Sequence, residues 1–395
     1  MAVGLAARRV VALAAAALVA ATLSGAPAVA ANGAAANANC GSSNLPPTTL
    51  DHAMPWAQRE LGLQRVWPIT EGAGVIVGVV DTGVDGNQPF LRGVVLPGFD
   101  VVNGGGPADT DCDGHGTFVA GLIAGRQISG FGFSGVAPQA TILPIRQANS
   151  PSDGTPVTLA KGIRAAVDRH AQVINVSITS QPTLELAEAI RYALAHDVVI
   201  VAAAGNDFGA GNAVQYPAGF PGVLAVGAVD QNGQRANFSE SGPNVAITAP
   251  GTNLLGPGAG GVGLVSSAGG TSFATAYVSG VAALVRSYYP KLTAAQVIDR
   301  IEATADHPAG RLPSRGVGWG SVDPYAAVTA VLPGQRHPSV TSRTDVTLPK
   351  PPGPGSRTGQ LAAGIAVGGA AIAIGILLTG GLVAAGRRRD WRPGT

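Results

Sequence analysis

Three short segments hold side chains that together could perform nucleophilic catalysis. Val79-Val80-Asp81-Thr82-Gly83 places a carboxylate just past an apolar run. Asp113-Gly114-His115-Gly116-Thr117 places an imidazole at the opening of an apolar helical pattern, and Gly269-Gly270-Thr271-Ser272-Phe273-Ala274 places a hydroxyl in the first turn of another. A carboxylate that orients an imidazole, which in turn takes a proton from a hydroxyl, activates a serine as a nucleophile. A helix start at Ser272 adds free N–H groups and the positive dipole end, which favour negative charge developing on a substrate oxygen. A fourth segment, Ala202-Ala203-Ala204-Gly205-Asn206-Asp207, ends an apolar run with an amide side chain, a donor suited to such an oxyanion. Alone, each has a plainer reading as a cap or turn residue. Their weight lies in the combination.

The elements that must position these groups follow from the pattern around them. Val75–Val80, Thr141–Ile145, Val173–Ile178, Val198–Ala203 and Val223–Val229 read as buried strands of a parallel sheet. Helical stretches lie between them at Gly116–Ile123, Leu159–Arg169, Thr183–Ala195 and Phe273–Tyr289. Thr293 and Gln296 have capping-box spacing for one more helix, reaching Ala305. Such alternation predicts an α/β domain with a mostly parallel sheet, in which sites form at the carboxyl ends of strands.

With the chain order Asp, His, Ser, these segments resemble the subtilase family, whose order differs from those of chymotrypsin and the α/β-hydrolases. The segments VVDTGVD, DGHGTFVAGLIAG, AAAGND and GGTSFATAYVSG each resemble a signature of that family, across Trp56–Val331. The resemblance implies a subtilisin-like three-layer fold and a serine endopeptidase acting on polypeptides without a required cofactor. It implies that Asp81 orients His115, that His115 takes the proton of Ser272, and that Asn206 with the Ser272 N–H holds the oxyanion. Ser177, Ile178 and Thr179 correspond to the strand that lines the primary specificity pocket. Thr179 stands where the family has Gly, so a side chain intrudes and preference should narrow. Ser152–Thr155 is a candidate edge for pairing with an extended substrate. Ala276 stands where the family usually has Pro. Structural calcium is common in the family, but no acidic loop here identifies ligands.

The flanks concern location. Arg8 and Arg9, the uncharged Val10–Leu23 and Ala28-Val29-Ala30 have the order of a signal peptide, with cleavage after Ala30. Residues 31–54 form a short N-terminal extension, followed by a protease domain over 55–332 and a Pro-rich linker over 333–360. Leu361–Gly386 contains no charge and, as a helix, would rise about 39 Å, enough to cross a bilayer core of about 30 Å. Arg387, Arg388 and Arg389 follow and place the 387–395 tail in the cytoplasm. The formal net charge of +2 argues against a nucleic-acid partner. Cys40 and Cys112 are the only cysteines, and after export an even pair reads most simply as one disulfide. It would pin the extension beside His115. A metal reading of Asp111-Cys112-Asp113-Gly114-His115 is weaker, because His115 has its place in the catalytic set.

This architecture resembles the mycosins, membrane-anchored subtilases that accompany type VII secretion systems. The resemblance implies action at the outer face of the cytoplasmic membrane, association with the secretion membrane complex and few substrates. Two alternatives share the motifs: a general degradative cell-surface subtilase, and a scaffold of the secretion machine whose main contribution is non-catalytic.

Overall fold

Short runs of Val, Ile and Ala form the sheet because apolar side chains on both faces of a strand demand cover on both sides. The computed structural model describes residues 53–261 and 263–333, all within a unit spanning Met1–Pro338. A second unit, Ser339–Thr395, lies outside the described residues. The strands are β1 (Ile76–Asp81), β2 (Phe99–Asp100), β3 (Thr141–Arg146), β4 (Val173–Val176), β5 (Val199–Ala203), β6 (Leu224–Val229) and β7 (Ile247–Pro250). They pair in parallel in the order β2-β3-β1-β4-β5-β6-β7. The chain thus starts mid-sheet at β1, adds strands on one side, then crosses to the other for β4. That reversal opens a crevice at the carboxyl ends of β1 and β4, the place where α/β sheets bind ligands.

The helices are α1 (Trp56–Glu60), α2 (Leu63–Val66), α3 (His115–Ala124), α4 (Pro156–Asp168), α5 (Leu184–Ala195), α6 (Thr271–Tyr288), α7 (Ala294–Ala303) and α8 (Pro324–Thr329). On one sheet face Val77, Val79, Val173, Val199 and Val201 share a core with Phe118 and Leu122 of α3 and Tyr277 and Val281 of α6. On the other, Val80, Ile174 and Ile200 pack with Leu159 and Ile163 of α4 and Leu186 and Ile190 of α5. This is the expected three-layer α/β arrangement. α6 is buried from Thr271 to Arg286 and runs unbroken through Ala276, so Ala serves where the family usually has Pro.

Several local expectations hold in detail. Thr293 Oγ1 accepts from Gln296 N at 3.3 Å while Thr293 N donates to Gln296 Oε1 at 2.9 Å, completing the capping box. Others need correction. The strand expected over Val173–Ile178 ends at Val176, and the helix expected to reach Ala305 ends at Ala303. The antiparallel hairpin of β8 (Thr252–Pro257) and β9 (Leu264–Gly269) was not anticipated, because β9 is rich in small polar residues and lacks apolar alternation. It delivers the chain to Ser272.

The signal peptide 1–30, most of the extension 31–54, the linker, the span Leu361–Gly386 and the tail lie outside the described residues. Among the described residues no helix is long and apolar enough to cross a membrane.

Candidate active site

Asp81 closes β1 and is fully buried, and His115 opens α3. His115 Nδ1 lies 2.7 Å from Asp81 Oδ1, which also accepts the Thr82 N–H at 2.9 Å. The carboxylate fixes the tautomer, since Nδ1 must carry the proton to meet it. Burial pushes the His115 imidazole pKa down, yet the adjacent Asp81 charge and hydrogen bond, with Asp113 and Asp111 nearby, outweigh that and raise it. Two glycines make the approach possible. A Cβ on Gly116 would lie 2.1 Å from Gly83 O, and one on Gly83, whose φ is +102°, would lie 2.2 Å from Thr110 O.

Ser272 sits in the first turn of α6, 8% exposed. Its N–H has no hydrogen-bond partner among the described residues, as expected at a helix N-terminus. Its hydroxyl donates to the Ser177 carbonyl at 2.9 Å, and no hydrogen bond joins it to His115 among the described residues. The next residue, Phe273, has its ring centroid 5.4 Å from the His115 ring and 4.6 Å from Phe118, both in tilted contact, so the start of α6 packs against the start of α3.

Asn206 follows β5 and is exposed. Its Oδ1 accepts both the N–H and the hydroxyl of Thr271, each at 2.9 Å. A backbone N–H can only donate, so the amide orientation is determined and the Nδ2 hydrogens remain free to donate elsewhere. Thr271 Oγ1 also accepts Gly205 N at 3.3 Å, stitching the β5 loop to the start of α6. Sequence reasoning passed over Thr271, and its only signal was its place beside Ser272.

Of the pocket residues, Ser177 and Ile178 are buried and Thr179 is half-buried, just beyond the end of β4. The chain is steadied at Ser180, whose N–H donates to Tyr216 O at 2.7 Å. Ser177 Oγ accepts from Asn175 Nδ2 at 2.8 Å and donates to Ser272 O at 3.0 Å, while Asn175 Oδ1 accepts from Ser279 at 2.9 Å. A buried polar chain therefore runs beneath the serine, another feature that apolar patterning did not reveal. Among the described residues no cysteine is free, and Cys40 lies outside them. Among the described residues no three His, Cys, Asp or Glu side chains gather as metal ligands would.

Comparisons with known proteins identify the family. The model of the subtilase family matches residues 72–320. Mycosin-1 of Mycolicibacterium smegmatis is 38% identical over 348 residues, covering 74% of this chain and 77% of that protein. A crystal structure of MycP1 with the N-terminal propeptide removed is 39% identical, with a TM-score of 0.63, over 71% of this chain and 98% of that one. A chain in the structure of the periplasmic assembly from the ESX-5 inner membrane complex is 34% identical, with a TM-score of 0.65, over 79% and 93%. The chain belongs to the subtilase family and is a serine endopeptidase similar to the mycosins.

Proposed function

We propose that Asp81, His115 and Ser272 are the catalytic triad of a mycosin-like endopeptidase, and that Asn206 Nδ2 and the Ser272 N–H form its oxyanion hole. The 2.7 Å contact between the buried Asp81 and the half-buried His115 carries the reading. Before attack, the Ser272 hydroxyl leaves the Ser177 carbonyl and turns to His115 Nε2. His115 takes the hydroxyl proton as Oγ bonds to the scissile carbonyl carbon, and the carbonyl oxygen becomes the oxyanion. The proton then passes to the leaving amine as the C–N bond breaks, and water releases the acyl group by the reverse roles. Incubation with a fluorophosphonate, followed by peptide mass spectrometry, tests the assignment. Modification at Ser272 alone is expected, and an unlabelled Ser272 in folded protein would overturn it.

The direction of the His115 shift sets the pH response. Catalysis needs the neutral imidazole, and its pKa lies above the ordinary value of about 6.5. The acid limb of kcat/KM is therefore expected to have its midpoint above about pH 6.5. The same shift stabilises the fold fully below the unfolded pKa, and that contribution is lost as pH rises through the folded one. Asp81→Asn should move the limb to lower pH.

Ser177, Ile178 and Thr179 are proposed to line the primary pocket. The half-buried Thr179 at the end of the β4 segment supports a constricted pocket. Thr179→Gly is expected to widen the range of residues accepted in positional-scanning peptide cleavage, and an unchanged profile would count against it.

We also infer an exported protease anchored by Leu361–Gly386, acting at a type VII secretion complex, with Cys40 joined to Cys112. The charge-free segment with its three following arginines, the even pair of cysteines with no free cysteine among the described residues, and the likeness to a chain of the ESX-5 assembly support this reading. External protease on intact cells should remove the folded domain and spare the 387–395 tail. Thiol labelling without reductant should leave both cysteines unmodified.

A further inference from the structure

Asp111 is a second buried carboxylate beside Asp81, with only 4% of its surface exposed. Its Oδ1 accepts from Thr82 Oγ1 at 3.0 Å, Asp113 N at 3.2 Å and Gly114 N at 3.0 Å. Its Oδ2 accepts from Thr117 N at 2.8 Å and Thr117 Oγ1 at 2.6 Å. The N-cap of α3 is Gly114, which has no side chain to offer, so Asp111 does the capping from three residues upstream. It also reaches across to the other catalytic segment. Thr82 Oγ1 donates to Asp111 and accepts Gly116 N at 3.0 Å, while the Thr82 N–H holds Asp81 Oδ1 at 2.9 Å. The links therefore run unbroken from Asp111 to the carboxylate on β1 and to the helix turn that bears the imidazole.

A cap alone does not require a charge here. Ser, Thr or Asn would cap α3 without burying a second carboxylate near Asp81. Burial pushes the Asp111 carboxyl pKa up, and the Asp81 charge adds to that, against the hydrogen bonds that hold the ionised form. Carboxyls shifted by burial and a neighbouring charge gather at functional sites.

We propose that Asp111 is a positioning residue for proton transfer, setting the Asp81–His115 pair through Thr82 and the first turn of α3 and placing a second negative charge behind the imidazole. The inference rests on the roles proposed above for Asp81, His115 and Ser272. The other charged groups around it are few. Asp81 and Asp113 act on His115, and the Asp85 N–H donates to the far side of Thr117 Oγ1 at 2.9 Å. On the β3 side Arg146 donates to Thr82 O at 3.1 Å and to Thr110, and its charge is paired with Asp100 at 2.6 Å. Besides Asp81 itself, Asp111 is thus the carboxylate in this set that contacts both the Asp81 loop and the His115 helix by hydrogen bonds.

Two variants of the full-length, detergent-solubilised protein separate orientation from charge. Asp111→Asn keeps the shape and removes the charge, and Thr82→Val keeps the charge and removes the bridging hydroxyl. Turnover of a fluorogenic peptide is measured per fluorophosphonate-titrated Ser272, so misfolded protein does not count. The His115 titration midpoint is followed by NMR of ¹³C-labelled histidine. Asp111→Asn is expected to lower kcat on the order of 10- to 10²-fold at nearly constant KM. It should also move the His115 midpoint and the acid limb to lower pH. Thr82→Val is expected to lower kcat while leaving the midpoint in place. Wild-type kcat per labelled serine in both variants, with an unmoved midpoint in Asp111→Asn, would overturn the proposal. If Asp111→Asn fails to fold, Thr82→Val decides. If wild-type protein neither cleaves the peptide nor takes up the fluorophosphonate, the assignment of Ser272 has failed. The histidine midpoint still judges Asp111 in that case.

Discussion

Ser272→Ala is expected to remove peptide cleavage almost entirely while leaving the protein folded. The size of the loss is the one known for subtilisin, the family's worked case, about 2 × 10⁶-fold in kcat. That corresponds to about 8.6 kcal/mol of transition-state stabilisation. Structural collapse cannot account for such a loss here. Among the described residues the hydroxyl makes a single hydrogen bond, to Ser177 O at 2.9 Å, and its removal costs about 1 kcal/mol net. α6 keeps its apolar packing on both sides of the substitution, so the shift in Tm should stay below about 4 °C. Steady-state kinetics with a thermal melt would check both parts. Substantial residual turnover in a folded Ser272→Ala protein would show that another group attacks the carbonyl. The same variant also addresses the scaffold alternative: a secretion complex that assembles normally with Ser272→Ala protein, while its substrates go uncleaved, would separate the two contributions.

Asn206→Ala is the second large effect, expected to lower kcat by about 10²–10³-fold with little change in KM. This is the range known for the corresponding donor of subtilisin, about 2.7–4 kcal/mol, because the donor meets negative charge that exists only in the transition state. The local geometry adds a finer test. Thr271 holds Asn206 by two hydrogen bonds to Oδ1. Asn206→Asp keeps an oxygen for those bonds but loses the amide donor and adds charge, so its loss should be at least as large as that of Asn206→Ala. Thr271→Val removes one of the two anchoring bonds and leaves the donor, so a loss of only about five-fold is expected, from about 1 kcal/mol. Equal losses in Thr271→Val and Asn206→Asp would mean that the amide serves the fold rather than the oxyanion.

The legible parts of the site were those written into contiguous residues. Asp81, His115, Ser272 and Asn206 each sit where a short apolar run meets a glycine or a helix start, a local pattern that needs no partner to be seen. The main strands were legible because both faces are covered, leaving near-continuous Val, Ile and Ala. The hairpin β8–β9 was not, since half of β9 faces away from the core and small polar residues carry no period. The short helices α1, α2 and α8 offered too few turns for an amphipathic pattern to accumulate. Thr271 and Asn175 were passed over, and Asp111 was read only within a weaker metal candidate, for a different reason. Each has one partner far along the chain, Asn206, Ser279 and Thr82 respectively, and a polar residue beside a known motif looks the same whether it supports the motif or merely follows it.

The sequence by itself determined the inventory and its order: a carboxylate, an imidazole, an amide and a hydroxyl, each tied to the end of a strand or the start of a helix. Tertiary structure alone decided which atoms meet. It brought Asp81 Oδ1 to 2.7 Å from His115 Nδ1, turned the Asn206 amide by way of Thr271, and placed Asp111 between two segments that are 34 residues apart at the catalytic pair. The physical reason is that strand and helix signals are summed over neighbouring residues. Hydrogen bonds of about 3 Å between distant side chains depend on register across the sheet and on the close approach that Gly83 and Gly116 allow.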